Sequence, residues 1–225
     1  MMIGKASENI DIQIPYDAYS QDKDRPTFEA FLTIIVRNEK GEITKVHKQW
    51  SRSPTSNFII MFLPANASIT GTITNINGTS YTYNINSSPL FYPTNNINYP
   101  SYLVMIQVGS GKQSNPYTAT ALAAPIANGS GTGQLLYGQP SVSQTPSVSG
   151  SSVYFTISQT FNNQSGGTVT ITELGIIMNL YLHNPSANAN QNLGQFLMWY
   201  DVLSSSISIP NGGSLTIYYT FTVNP

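Results

Sequence analysis

Glu173 and Asp201 are the only acids beyond residue 52. Two carboxylates on neighbouring strands are the minimum equipment of a glycoside hydrolase, with one as acid and the other as base or nucleophile. At a strand irregularity or a strand end, a carboxylate has another use, accepting backbone N–H groups that the ladder leaves unpaired. So few other acids are present to complete a catalytic site that the sequence predicts this structural use for both. Asp201, His183 and one of the many serines could be drawn as a triad, but no Gly-x-Ser-x-Gly elbow selects a nucleophile. The glycine run Gly129 to Gly133 is followed by neither a Lys-Ser/Thr pair nor a helix start, so it reads as a loop and not a phosphate cradle. Cysteine is absent and His47 and His183 are the only histidines, which excludes thiol nucleophiles, disulfides, and thiolate or histidine-cluster metal sites. The expectation is a chain with no catalytic, cofactor or metal site.

Trp50, Trp199 and 14 tyrosines would suit a sugar-binding platform or, more simply, core and interface packing. Five sequons, at Asn66, Asn77, Asn86, Asn128 and Asn163, are candidate glycosylation sites, although a chain this rich in Asn, Ser and Thr also produces such triplets by chance.

Charge is scarce and unevenly placed. Only 8% of residues are charged, against roughly 25% in an ordinary domain. Of the 19 charged side chains, 16 lie between Lys5 and Arg52, leaving Lys112, Glu173 and Asp201 for the rest. A formal net charge of −1 offers no field for nucleic acid. A monomer uses a mixed-charge surface to stay apart from its neighbours, so this surface is expected to be buried against partners or covered by sugar. The beginning of the sequence carries no signal-peptide pattern and no stretch approaches a membrane span.

The elements that must position these residues read as strands. Residues 1–26 are polar and charged and form an N-terminal arm. From 27 to 225 the chain reads as one β domain, loop-rich at 109–151. Phe28, Ala30, Leu32, Ile34 and Val36 share a face, and the turn Asn38 to Gly41 leads to a second strand through Ile43 and Val46. Ser53 as N-cap and Pro54 at the first helical position point to one short helix through Leu63, with a buried strand as the competing reading of 57–63. Strands follow at 69–76 and 81–85 around Asn77-Gly78, at 102–108, and at 134–137. In the last third, Val153 to Phe161 alternates, and so does Leu215 to Val223 after the turn at Asn211, while Phe196 to Tyr200 begins a return strand. Between these, Val169 and Ile171 change parity to Leu174, Ile176, Met178, Leu180 and Leu182. One extra residue near Glu173 to Gly175 restores a single buried face, so a β-bulge is expected there, accommodated by Gly175. Roughly ten short strands predict an all-β antiparallel sandwich of jelly-roll type with at most one or two short helices.

Several runs carry a family resemblance: Ile106 to Gly111, Ala124 to Gly138, Phe155 to Asn163, Val169 to Gly175, Asp201-Val202-Leu203 and Ser214 to Val223, with a weaker match at Ser53 to Leu63. Together, over about residues 45 to 225, they resemble structural proteins of tailed phages and archaeal viruses, and the composition is similar to penton and turret proteins of Sulfolobus turreted icosahedral viruses. The pattern commonly has Arg where Gln159 and Tyr200 stand here, so any ion pair to Glu173 or Asp201 is lost. The resemblance implies a virion structural protein of the vertex, turret or tail. Its partners would be copies of itself, five at a vertex, and other virion proteins. A receptor- or glycan-binding module on a virion or cell surface is the alternative.

Overall fold

The structure is a computed structural model describing residues 27–51, 53–61, 70–84, 91–92, 104–143, 147–150, 152–184 and 189–224. The expected N-terminal arm and the sequons at Asn66 and Asn86 lie outside the described residues.

Alternation and β-branching make the first hairpin. β1 (Thr27–Arg37) and β2 (Ile43–Ser51) pair antiparallel across a turn in which Asn38 Oδ1 accepts the amides of Lys40 and Glu42, both at 3.0 Å. Gly41 supplies the left-handed residue at φ 81°. The short helix is present as α1 (Ser56–Met61), but it starts later than Ser53 and Pro54 predicted. Pro54 sits in a β-bridge to Trp199, Ser53 O accepts Tyr200 N, and Thr55 O accepts the first helical amide, from Ile59. The capping residue is therefore Thr55, because Ser53 and Pro54 are held by a strand.

β3 (Thr70–Thr74) and β4 (Ser80–Asn84) form a separate hairpin, with Gly78 at φ 83° in its turn. β5 (Phe91–Tyr92) and β6 (Val104–Gly109) follow. Within 109–151, where only 134–137 read as a strand, three very short ones occur: β7 (Leu136–Tyr137), β8 (Ser141–Val142) and β9 (Ser147–Ser149). β10 (Ser152–Asn162), β11 (Val169–Asn184), β12 (Ala189–Ile209) and β13 (Ser214–Asn224) complete the chain. β12 extends on both sides of the 196–200 stretch at which a return strand was expected to begin, and its serine-rich second half pairs with β11 with Ile207 and Ile209 alternating into the core.

Two antiparallel sheets result, in the orders β2-β1-β13-β10-β7 and β12-β11-β5, with β8 and β9 also on β10 and β6 also on β11. Their facing sides enclose one core: Leu32, Ile34, Phe161, Ile217 and Tyr219 from the first sheet meet Ile106, Ile171, Leu174, Ile176 and Ile207 from the second. The sandwich is as expected. So is the bulge, because the β11–β12 register shifts between Ile171 and Glu173, carrying the buried face from Val169 and Ile171 to Leu174 and Ile176. Farther along, Leu180, Phe196 and Met198 pack with Ile73 of β3 and with Phe58 and Ile60 of α1. The opposite side of the second sheet packs Ile177, Leu197 and Tyr200 under Ala119 and Leu122 of the segment after β6.

Candidate functional site

Glu173 and Asp201 occupy adjacent registers, Glu173 opposite Val202 and Leu174 opposite Asp201, so their side chains leave opposite faces of the sheet. Glu173 goes outward, beneath the segment after β6. There it is fully buried: Oε1 accepts Gly111 N at 3.1 Å and Ala124 N at 2.7 Å, while Oε2 accepts Ala123 N at 3.0 Å and the Tyr200 hydroxyl at 2.7 Å. Tyr200 Oη in turn accepts Gln113 N at 2.7 Å. Burial raises the Tyr200 pKa most, the Gln113 amide lowers it by less, and the bond to Glu173 and then the Glu173 and Asp201 charges raise it further. A carboxylate clasped by three amides and a phenol fixes a loop and has no lone pair turned to solvent.

The glycines around it have the same cause. A Cβ on Gly109 would lie 2.5 Å from Glu173 Oε1, and one on Gly111 would lie 2.7 Å from Ala124 N and 2.9 Å from Glu173 Oε1. Gly175 is small for a reason other than the expected one. It is regularly paired with Tyr200, beyond the bulge, and a Cβ there would lie 2.6 Å from Trp199 O and 2.5 Å from Leu197 Cδ1.

Asp201 points into the sandwich. Its Oδ2 accepts the Ser51 hydroxyl and the Tyr219 hydroxyl, the latter at 2.9 Å, and Ser51 Oγ accepts the Trp199 indole N–H. Burial and the Asp201 charge push the Tyr219 pKa well up. Trp199 is also enclosed by the rings of Phe28, Phe58 and Phe221, whereas Trp50 meets Phe31 on the outer side of β1. The two tryptophans therefore do not form one sugar platform. No triad is assembled either. His183 stands roughly 30 Å along β11, at the strand rise, from Leu174 opposite Asp201. His47, four strand positions from Ser51, bonds Gln49 at 2.9 Å.

Polar side chains also close the open sides of the sandwich. On one side, Gln49 clamps the free edge of β12, donating to Val202 O at 3.1 Å and accepting Ser204 N at 3.0 Å, while Lys45 donates to Ser206 O at 3.0 Å. On the other, Gln159 accepts Ile106 N at 2.7 Å and donates to Gly138 O at 3.0 Å, and Tyr137 Oη donates to Ile126 O at 2.7 Å and accepts Val108 N at 3.3 Å. Burial pushes the Tyr137 pKa up to about 12. Edge amides occupied in this way cannot pair with another chain's strand. Beside this second seam lies a cleft of about 300 Å³ reaching Gln107, Asn128, Tyr137 and Gln195 and lined by no charged side chain.

Comparison of the chain with family models, curated proteins and solved structures gives no match.

Among the described residues no three His, Asp or Glu side chains gather to hold a metal ion, and no helix is long and apolar enough to cross a membrane. Of the described sequons, Asn77 and Asn128 are exposed. Asn163 is not available to a sugar. It is fully buried, its Nδ2 donates to Gly167 O and Ile209 O, both at 2.8 Å, and its Oδ1 accepts from Ser165. A turn that must satisfy buried carbonyls has taken the amide that the sequon would offer. Sequence reading missed Gln49, Gln159 and Tyr200 as key polar residues. The sign available for Gln159 and Tyr200 was that each stands where the resembled pattern commonly has Arg. Tyr200 bonds Glu173 from that position with a neutral donor.

Proposed function

We propose that the chain is a structural subunit of a larger particle, in its most specific form a virion protein of a capsid vertex, turret or tail, built on jelly-roll-type wiring. The observation that carries this reading is the fate of the late charges. Glu173 and Asp201 are spent inside the fold, so the surface contributed by everything after Arg52 holds one charged side chain, Lys112. Such a surface suits burial against copies of itself and other particle proteins better than isolation in water. The nested pairing of β10 with β13 and β11 with β12 supports the wiring, as does the resemblance over residues 45 to 225.

A contact surface is also at hand. Phe28, Val223, Val153 and Val148 lie directly opposite one another across β1, β13, β10 and β9, and their exposures are 49, 46, 39 and 71%. A contiguous apolar row of this kind is a mark of association. Since side chains occupy backbone groups along the free edges of β12 and β6, this apolar row and not strand addition at those edges would join the subunits.

Sedimentation velocity and electron microscopy of the full chain test the reading: closed rings or shells are expected, and Val153→Lys with Val223→Lys should dissociate them. A chain that stays single at high concentration, with no partner in its source, refutes it. The uncharged cleft at Tyr137 favours a second reading, a glycan-binding module, which a glycan array without binding would remove.

A further inference from the structure

An Asn-Gly step is where a peptide chain most readily attacks its own side chain, because glycine puts no Cβ beside the nitrogen that must reach the asparagine amide. The sequence contains three such steps, Asn77-Gly78, Asn128-Gly129 and Asn211-Gly212, and all three asparagines are exposed. Their side chains are not equally free. Asn128 Oδ1 accepts Tyr137 N at 3.0 Å and Asn211 Oδ1 accepts Gly166 N at 2.9 Å, whereas the Asn77 side chain bonds to no described residue. The attacking nitrogens differ in the same sense. Gly212 N is held by Asn163 O of another loop at 2.8 Å and Gly129 N by Leu135 O at 3.0 Å across a bridge, while Gly78 N reaches Asn75 O at 2.9 Å inside its own turn. Space agrees as well. A Cβ on Gly129 would run into Gln134 Oε1 and one on Gly212 would lie 3.1 Å from Glu39 Cβ, but one on Gly78 would meet nothing within 4 Å.

We infer that Asn77, in the turn between β3 and β4, is the site at which the folded chain modifies itself by deamidation. Gly78 N gives up its proton and bonds Asn77 Cγ, ammonia leaves, and the resulting succinimide takes up one water to become aspartate or isoaspartate. Besides the turn bond to Asn75 O, nothing described holds either reacting group, and a bond closed within one turn opens without parting two elements. At Asn128 and Asn211 a side-chain bond must break as well, and a second segment must release the glycine nitrogen. The product carries a carboxylate on a surface that, after Arg52, otherwise bears only Lys112. In its isoaspartate form it also adds a methylene to the main chain of a turn whose Ile76 N is bonded to Gln195 O of β12.

The test is peptide mapping by mass spectrometry of the full chain, produced without glycosylation so that the sequon at Asn77 stays bare, and held in mildly alkaline heavy-oxygen water. A sample unfolded in guanidinium is the reference, in which the three steps should convert at similar rates. One further hydrogen bond to open slows a step by about 2- to 10-fold, so in the folded chain Asn77 is expected to take up heavy oxygen at least about fivefold faster than Asn128 or Asn211. Isoelectric focusing should show an acidic band that Asn77→Ser lacks. Conversion of Asn128 or Asn211 as fast as Asn77 overturns the inference, as does an acidic band that persists in Asn77→Ser. An Asn77 that stays intact in the folded chain while the unfolded one converts it overturns it too, because the turn then protects the step.

Discussion

Glu173→Ala asks whether the carboxylate holds the segment after β6 on the sheet. The substitution removes the acceptor of three backbone amides and the Tyr200 hydroxyl. Each hydrogen bond to a charged group contributes about 1.5–3 kcal/mol, so four set a ceiling of roughly 12 kcal/mol. The loop can move and admit water, which makes a loss of about 3–5 kcal/mol the expectation. For a domain of this length, 1 kcal/mol corresponds to about 2–4 °C, so the melting temperature should fall by about 6–20 °C. Glu173→Gln should cost roughly half as much: Oε1 still accepts Gly111 N and Ala124 N and the Tyr200 oxygen can accept the new amide, while the Tyr200 proton loses its acceptor and Ala123 N–H meets a donor. Thermal unfolding by circular dichroism gives the magnitudes, and hydrogen exchange at Gly111, Ala123 and Ala124 gives the location. If Glu173→Ala melts within 2 °C of the parent with these amides still protected, the carboxylate is not the fastening.

The same fastening predicts that Gly111→Ala, whose Cβ would lie 2.7 Å from Ala124 N, costs about 1–3 kcal/mol. Combined with Glu173→Ala in calorimetry it should cost less than the two losses added, since both loosen one contact. Gln159→Leu strands Ile106 N and Gly138 O and should lower stability by about 2–4 kcal/mol, and light scattering should show new aggregation through the uncapped edge of β6. High pH should unfold the chain through Tyr137, Tyr200 and Tyr219, whose folded pKa values are all raised. Their contribution is complete below about pH 10, where both states are protonated. It declines by about 1.4 kcal/mol per pH unit for each tyrosine as the unfolded phenols ionise first, a window that for Tyr137 closes near 12. Absorbance at 295 nm should then show a late group of phenols ionising together with the loss of β circular dichroism. Titration of every tyrosine near pH 10 with the dichroism intact would contradict this.

Local rules were enough for much of this molecule. Alternation over Phe155–Phe161 and Leu215–Val223 defines strands because the side-chain period of a pleated strand is two, and the change of parity at Ile171 places the bulge because one face of β11 must stay buried. Asn38, Gly41 and Gly78 mark their turns by chemistry that acts within four residues. The absence of cysteine and the gathering of 16 of the 19 charges before residue 53 narrow the possible chemistry in the same direct way. Tertiary structure decided what depends on residues distant in the chain. Pro54 was drawn out of its helix by a bridge to Trp199, a partner no helical pattern reveals. The serine-rich half of β12 became strand through β11, Gln49 and Lys45, and Asn163 lost its sequon to Gly167 O in its own turn and to Ile209 O at the end of β12. Glu173 and Asp201 read as neighbours in either view, but only the paired register sent one outward to hold a loop and the other inward to Ser51 and Tyr219. Side-chain direction follows from which strands meet and in what register, and that is fixed by burying a whole sheet at once.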